Sequence, residues 1–401
     1  MDEFEIYDYN RRLSHTFIGD HGYCATSFIP IPCKRLGKKS NFFFRLIFAF
    51  NIVGIGFTNY SKPKIIAMTS VKILLHLFLL YRVAMLTFQI NNFKYGIKLS
   101  AFTYVRDSLV LLAWHSVYCK RKKILKLMKT LMKLIELSPA SCSKVQMMIF
   151  YVSLVGVYMC PLVTAAVMIG FLTENKALKY QRSTLFGKCS TYFPRMIAFL
   201  INYSYNLYLL TIPLLISLTY VFICVNLQKM LARITKSLKK CHSLENAKLA
   251  YHRATELFLV ISKVEDALSV CIFFVISFNV LLTFVCFAYG LGYYNWSKAG
   301  SANVIGWFFS NQTSFISIVC SASGVKAESA RLKMTFQAVL SGLKQEKDVS
   351  PLLVKIEVFD SVSLTAWKMF EFSKGFILST YGIILTYGLL ALQSEKYANH
   401  P

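Results

Sequence analysis

The groups placed to do chemistry in this chain are polar residues repeated at helical spacing inside long apolar runs. In the last run, Phe372 to Gln393, the residues Ser379, Thr386 and Gln393 fall seven apart, two turns of a 3.6-residue helix, and so share one face. A membrane helix with one polar seam needs something polar to face, either a sister helix met through hydrogen bonds or the water of a pore. A second seam, Asn303, Trp307, Ser310, Asn311, Ser314, Ser317 and Ser321, has offsets of three and four residues. Asn202, Tyr205, Asn206 and Tyr208 cluster in another run. Aromatic surface mixed with a few amides suits an outward-opening pocket for a small organic molecule, and it equally suits hydrogen bonding between helices.

Ionisable groups inside such runs are costly and therefore informative. Arg82 and Asp107 flank the short turn 91–96 at similar remove, roughly 12–15 Å along their helices, so they can meet as an ion pair. Such a pair fixes how two helices pack, or it touches a ligand. Arg106, the neighbour of Asp107, is then expected to point elsewhere and to be the better ligand candidate.

Enzyme chemistry finds no footing. No GxGxxG, P-loop, HExxH or GxSxG stretch occurs, so the phosphate cradle, metal pair or nucleophile elbow of those reactions is missing. His15 and Asp20 have the HxxxxD spacing of membrane acyltransferases but stand in a polar leader without a glycine-rich block. The 11 cysteines are scattered with no CxxC pair, which indicates neither a disulfide framework nor a metal site. No catalytic residue, cofactor or metal is expected.

The elements that must position these seams are membrane helices. With 55% hydrophobic and 16% charged residues and a mean hydropathy of +0.49, the chain reads as an integral membrane protein. Seven runs are long enough to cross about 30 Å of hydrocarbon: Ile66 to Ile90, Ile97 to Tyr118, Gln146 to Thr173, Thr191 to Val225, Ala267 to Gly290, Ala302 to Val325 and Ser373 to Gln393. Thr191 to Val225 exceeds one crossing but holds no turn dipeptide, so a single protruding helix is expected despite Pro194 and Pro213. Asn41 to Phe57 is interrupted by Arg45 and Asn51 and flanked by lysines, which suits a short interfacial or re-entrant helix.

The net charge of +26 is spread over short connections rather than gathered on one basic domain, which argues for topology signals and against nucleic acid. Segments 1–65, 119–145, 226–266 and 326–372 hold 32 of the 45 Lys and Arg residues, whereas 91–96, 174–190, 291–301 and 394–401 hold 7. The positive-inside rule therefore puts the N-terminus in the cytoplasm and the C-terminus outside. The sequon Asn295-Trp296-Ser297 falls in an outer loop, making Asn295 a candidate glycosylation site. Lys120 to Leu137 carries Ile124, Leu127, Met128, Leu131, Leu134 and Ile135 on one face and lysines opposite. It is expected to extend its span as a helix along the inner leaflet, or to bind acidic lipid or a calmodulin-like partner.

The expected fold is an all-α membrane protein of seven transmembrane helices with long cytoplasmic helical extensions. Its parts are a cytoplasmic segment 1–65, helices one to four in 66–225, a helical linker 226–266, helices five and six in 267–325, cytoplasmic anchor helices 326–372, a last helix 373–393 and an outer tail 394–401.

The end of the last run is more specific. Thr386-Tyr387, five apolar or small residues and Gln393 resemble the TYhhhhhQF signature of insect gustatory receptors. Leu364-Thr365-Ala366 through Phe370, then Phe376-Ile377-Leu378, look like that family's approach to its last helix. Ser394 stands where the family has phenylalanine, so no role of that aromatic is carried over.

The resemblance implies a tetrameric, ligand-gated, non-selective cation channel in the plasma membrane of sensory neurons. A small-molecule tastant opens it to permeating cations, and it forms from identical copies or with related receptors. It implies that the last helix lines a central pore, with Leu389, Leu390, Leu392 and Gln393 as the gate region, Thr386 and Tyr387 below them, and Ser379 and Ile383 further along. A hydrophobic constriction can gate by dewetting, and a ring of amides can admit hydrated cations. The implied pocket lies among the outer halves of earlier spans, where Arg106, Asn202, Tyr205, Asn206, Trp307 and Asn311 are the candidates. The alternative is a seven-helix receptor signalling through cytoplasmic partners, against which the charge bias and the lack of an NPxxY-like end speak.

Overall fold

A computed structural model of the 401-residue chain describes residues 37–56, 97–137, 144–172, 193–241, 243–290, 298–343 and 363–398, with isolated positions at 66–80 and 349–356. The chain divides into two compact units, Met1–Lys39 and Ser40–Pro401, and nearly all described residues belong to the second. Arg82 and Asn295 lie outside the described residues, as does most of the Ile66 to Ile90 run.

Helices dominate. In chain order they are α1 (Gly37–Ile52), α2 (Ile97–Leu137), α3 (Lys144–Leu172), α4 (Phe193–Asn206), a π-helical turn (Leu207–Thr211), α5 (Ile212–Leu238), α6 (Leu244–Gly290) and α7 (Lys298–Gly342). A hairpin of β1 (Thr365–Ala366) and β2 (Phe370–Glu371) then leads into α8 (Lys374–Ala398).

Several of these helices are far longer than a crossing requires. At 1.5 Å per residue, the 41 residues of α2 and the 47 of α6 reach about 60 and 70 Å, roughly twice the hydrocarbon thickness. The helical stretch expected over 226–266 is continuous with the runs on either side of it. It comprises the C-terminal part of α5, a turn at Lys239 and Lys240, and the N-terminal part of α6.

The stretch Lys120 to Leu137 is helical, but it does not lie along a leaflet. It continues α2 without a break and packs along α6, with Ile124, Leu127, Met128 and Leu131 buried. A lateral turn onto a membrane surface would leave that stripe without the protein partner it has, and burying each such side chain contributes roughly 1.5–3 kcal/mol. The junction is fixed by Asp266 of α6, which accepts from Lys123 Nζ at 2.8 Å through its carboxylate and from Lys120 Nζ at 2.5 Å through its backbone carbonyl.

Among the described residues, three stretches are long and apolar enough to cross a membrane by length and composition: Lys144–Val167, Tyr203–Leu238 and Leu244–Phe287. A shorter apolar stretch is Lys374–Leu390. Helices α2 and α7 are lowered in hydropathy by the polar residues they turn inward, Arg106 and Asp107 on one and Asn311, Gln312 and Ser314 on the other.

Phe193 to Leu238 runs as one continuous helical rod. Pro213 lacks the N–H that an α-helix needs to satisfy the Leu209 carbonyl, and its ring crowds that carbonyl; the π turn just before it absorbs the conflict. Helix α1 has 16 residues, too few to span, and docks into the bundle. Trp114 Nε1 donates to the Val53 carbonyl at 2.9 Å, and the Tyr158 hydroxyl donates to the Ala49 carbonyl at 2.6 Å.

Candidate functional site

Arg106 and Asp107 leave adjacent positions of α2, yet they meet. Asp107 Oδ1 accepts from Arg106 Nε at 3.0 Å and lies 2.9 Å from Arg106 Nη2. The expectation that Arg106 points away from Asp107 is thus corrected. Adjacent helical Cβ atoms diverge, but the long arginine side chain curls back, because a lone cation is costly in a buried site. Both residues are at least nine-tenths buried.

The same guanidinium gathers the aromatic candidates. Arg106 Nη2 donates to the Tyr205 hydroxyl of α4. The Arg106 Cζ atom lies 5.8 Å from the Tyr205 ring centroid and 5.9 Å from that of Trp307 on α7. The Tyr208 hydroxyl, from the π turn, donates to the Asp107 backbone carbonyl at 3.1 Å. The extra residue of a π turn rotates the helix face beyond it, and Tyr208 is so aimed back at α2. Among the described residues, Asp107 Oδ2 and Trp307 Nε1 are buried polar atoms of this cluster with no hydrogen-bond partner. One is an acceptor and the other a donor, and both flank a guanidinium whose charge is already balanced.

Asn206 is buried beside this cluster. Asn202 lies on α4, but its side chain is outside the described residues. Asn311 is one turn along α7 from Trp307 and belongs to a second, contiguous polar network. Its Nδ2 donates to the Asn279 carbonyl at 2.7 Å and to Thr283 Oγ1 at 2.9 Å, both on α6. Thr283 Oγ1 also accepts from Gln312 Nε2 at 2.5 Å and donates to the Asn279 carbonyl at 2.7 Å. Ser314 Oγ donates to Ser217 Oγ on α5 at 2.7 Å. Finally the Tyr381 hydroxyl of α8 donates to Gln312 Oε1. The chain of bonds joins α5, α6, α7 and the last helix, beginning a single turn from Trp307. Asn279 and Thr283 are functional candidates that the sequence reading misses, although two polar residues four apart in an apolar run are an available signal.

Among the described residues, helix α8 is held by one face. Phe376, Thr380, Tyr381, Ile384 and Gly388 turn inward, and at Gly388 an added Cβ would come within 3.2 Å of the Phe287 ring. Ser379, Ile383, Thr386, Tyr387, Leu389 and Leu390 are all exposed, Tyr387 by 63%. Thr386 Oγ1 donates to the Gly382 carbonyl at 2.9 Å, so that hydroxyl is satisfied within its own helix. Leu392 and Gln393 lie on the same helix, but their side chains are outside the described residues.

At the other end of α8, the hairpin ties it to the lower bundle. Glu265 of α6 accepts from Thr365 N at 3.0 Å and from its hydroxyl, while Lys326 Nζ of α7 meets Glu371 Oε1 at 2.6 Å. Burial pushes the Glu265 carboxyl above the usual range, against the Thr365 bonds; the Lys326 hydrogen bond holds Glu371 below it. Among the described residues, no three His, Cys, Asp or Glu side chains converge as a metal site would require.

The sequence matches no protein-family model and no curated protein. The structure is similar to the insect olfactory receptor OR5 from Machilis hrabei in complex with eugenol, with a TM-score of 0.62 and 14% identity over 88% of this chain and 98% of that one. It is equally similar to another structure of that receptor, with a TM-score of 0.62 and 12% identity over 89% and 98% of the two chains. The likeness is one of fold across nearly the whole of both chains, and this chain has the fold of an insect chemoreceptor.

Proposed function

We propose that this multi-pass membrane protein is a gustatory chemoreceptor, a ligand-gated non-selective cation channel opened by a small-molecule tastant. The observation that carries the reading is the exposure of the α8 signature residues. Thr386, Tyr387, Leu389 and Leu390 point away from the body of their own chain, and a membrane-helix face that mixes hydroxyl groups with apolar ones suits a partner helix or a water-lined path. Four copies around an axis, alone or with related receptors, would cover part of that face and leave the rest to line a cation path with Leu392 and Gln393 at its outer end.

The olfactory receptor of like fold holds eugenol, a small organic molecule, and the Arg106, Asp107, Tyr205 and Trp307 cluster is this chain's site for such a ligand. The free Asp107 oxygen and Trp307 N–H are the groups that a ligand donor and acceptor would satisfy. The polar network from Asn311 to Tyr381 carries the change to the pore helix, because binding must favour the open arrangement differentially to move a gate. The cell is a sensory neuron and the membrane its plasma membrane, with Asn295 glycosylated on the outer side.

Heterologous expression with calcium imaging across a tastant panel tests this reading, with substitutions at Gln393, Leu389 and Leu390 as pore controls. The expected result is a ligand-evoked cation current whose selectivity shifts in those variants. Identical currents and selectivity in all three would remove the pore assignment.

A further inference from the structure

We infer that four basic side chains where α2 leaves its apolar half form a binding site for a phosphomonoester lipid headgroup of the inner leaflet. Lys72 Nζ donates to the Tyr118 hydroxyl at 3.1 Å and lies 4.2 Å from that ring's centroid. Arg121 Cζ lies 4.1 Å from the same centroid, and its Nη1 donates to the Tyr118 carbonyl at 3.0 Å. His76, one turn from Lys72, has its ring 6.4 Å from that of His115, which in turn lies 6.5 Å from Tyr118. Lys72 and Tyr118 are 46 residues apart in sequence, so this convergence is tertiary and not a by-product of local spacing.

The floor of the cluster is rigid. Trp114 stacks on Tyr118 with centroids 5.3 Å apart and planes 5° from parallel, and its indole N–H is held by the Val53 carbonyl. The next residue, Gly54, has a φ of +80° and lets the chain pass so close beneath Lys72 that a Cβ there would lie 3.3 Å from Lys72 Cγ.

Among the described residues, no carboxylate pairs with Lys72, His76, His115 or Arg121. The contrast within the run Lys120 to Lys123 is informative. Lys120 and Lys123 turn to Asp266, whereas Arg121 turns to the Tyr118 ring that Lys72 also meets. Two fixed cations brought together on one ring repel, and the chain supplies no anion between them among the described residues.

Tyr118 ends the apolar stretch and the lysine run begins two residues later, which is headgroup depth, on the cytoplasmic side by the charge bias. A phosphomonoester carries close to two negative charges and three acceptor oxygens, enough for both fixed cations and the flanking imidazoles; a phosphodiester carries one charge. The inference rests on orientation and is independent of which ligand opens the channel.

The test uses the full chain, purified in detergent and titrated by microscale thermophoresis with dioctanoyl phosphatidylinositol 4-phosphate, dioctanoyl phosphatidylcholine and soluble inositol 1,4-bisphosphate. The phosphoinositide is expected to bind at least tenfold more tightly than phosphatidylcholine or the soluble headgroup. The double variant Lys72→Gln with Arg121→Gln is expected to lose at least tenfold, and Lys72→Arg with Arg121→Lys to retain binding. The pair Lys126→Gln with Lys129→Gln, equal in charge but on exposed positions of the same helix, is expected to change it less than twofold. Equal losses in the two glutamine pairs, or phosphoinositide binding no tighter than phosphatidylcholine, would overturn the site. Equal binding of the soluble headgroup would overturn its assignment to lipid.

Discussion

The Tyr381 hydroxyl of α8 donates to the Gln312 side-chain oxygen of α7, so the last helix is tethered by one hydrogen bond to the network that begins beside Trp307. Much of the rest of α8 is exposed, which makes that tether a sensitive point. Tyr381→Phe removes the hydroxyl and keeps the ring that packs edge-on to Phe315. A net hydrogen bond contributes about 1 kcal/mol, or roughly fivefold in a two-state ratio. The expected outcome is a raised ligand-free current of about that factor at wild-type surface expression. Unaltered ligand-free current and ligand sensitivity would separate the bond from gating.

Thr283 Oγ1 accepts from Asn311 and Gln312 and donates to the Asn279 carbonyl, which saturates a hydroxyl. Thr283→Val keeps the shape and leaves the Gln312 donor, within a buried network, without that acceptor. Each unmet buried donor costs about 1–3 kcal/mol. The variant is expected to melt several degrees lower in detergent, and Thr283→Ser to melt near wild type. Equal melting of the valine and serine variants would deny the hydroxyl this role.

Much of this architecture is legible in the sequence where a physical rule has one outcome. Polar residues on an inward face must be satisfied, so Arg106, Tyr205, Trp307 and Asn311 stand out from sequence, and three of them do converge. Periodicity also finds the apolar stripe from Ile124 to Ile135, but a stripe does not say what covers it, and α6 is 100 residues or more away in sequence. The direction of Arg106 escapes helical geometry because a side chain of that length can bend back to its neighbour. The hairpin before α8 has no Gly or Asn at its turn, so the usual signal is absent.

Arg106 and Asp107 neutralise each other where water is scarce. Removing one partner strands the other charge at a cost of about 3–5 kcal/mol, whereas removing both charges together costs much less. Arg106→Gln and Asp107→Asn are each expected to lose most surface expression, and the double variant to recover a large part of it by surface biotinylation. A double variant no better than the worse single one would mean that the two charges do not depend on each other.

Lys326 holds Glu371 below the usual carboxylate range, so their pairing favours the folded state at any pH above that range. Protonation removes it as pH falls from about 4.3 through the depressed value of Glu371. The difference in thermal midpoint between wild type and Glu371→Gln is expected to be roughly constant from about pH 8 to 5 and to shrink below that window. A difference that grows on acidification would contradict the pairing.

The hairpin turn places Trp367 and Lys368 at φ of +50° and +57°, and the Met369 N–H donates to the Ala366 carbonyl at 3.0 Å. Left-handed backbone costs an L-residue with a Cβ about 1–2 kcal/mol. Trp367 is compensated by its ring, 5.2 Å from that of Phe273 on α6, and at Lys368 the backbone N–H donates to Thr365 Oγ1 at 3.1 Å, a bond that glycine keeps. Lys368→Gly relieves the strain, whereas Lys368→Pro demands a φ near −65° that the turn does not have. Because this turn feeds directly into α8 and is strapped to α6 by Glu265, breaking it should reach α8. The glycine variant is expected to melt at or above the wild-type temperature with normal currents, and the proline variant to lose both stability and current. Proline tolerated without loss would show that α8 is positioned without the hairpin.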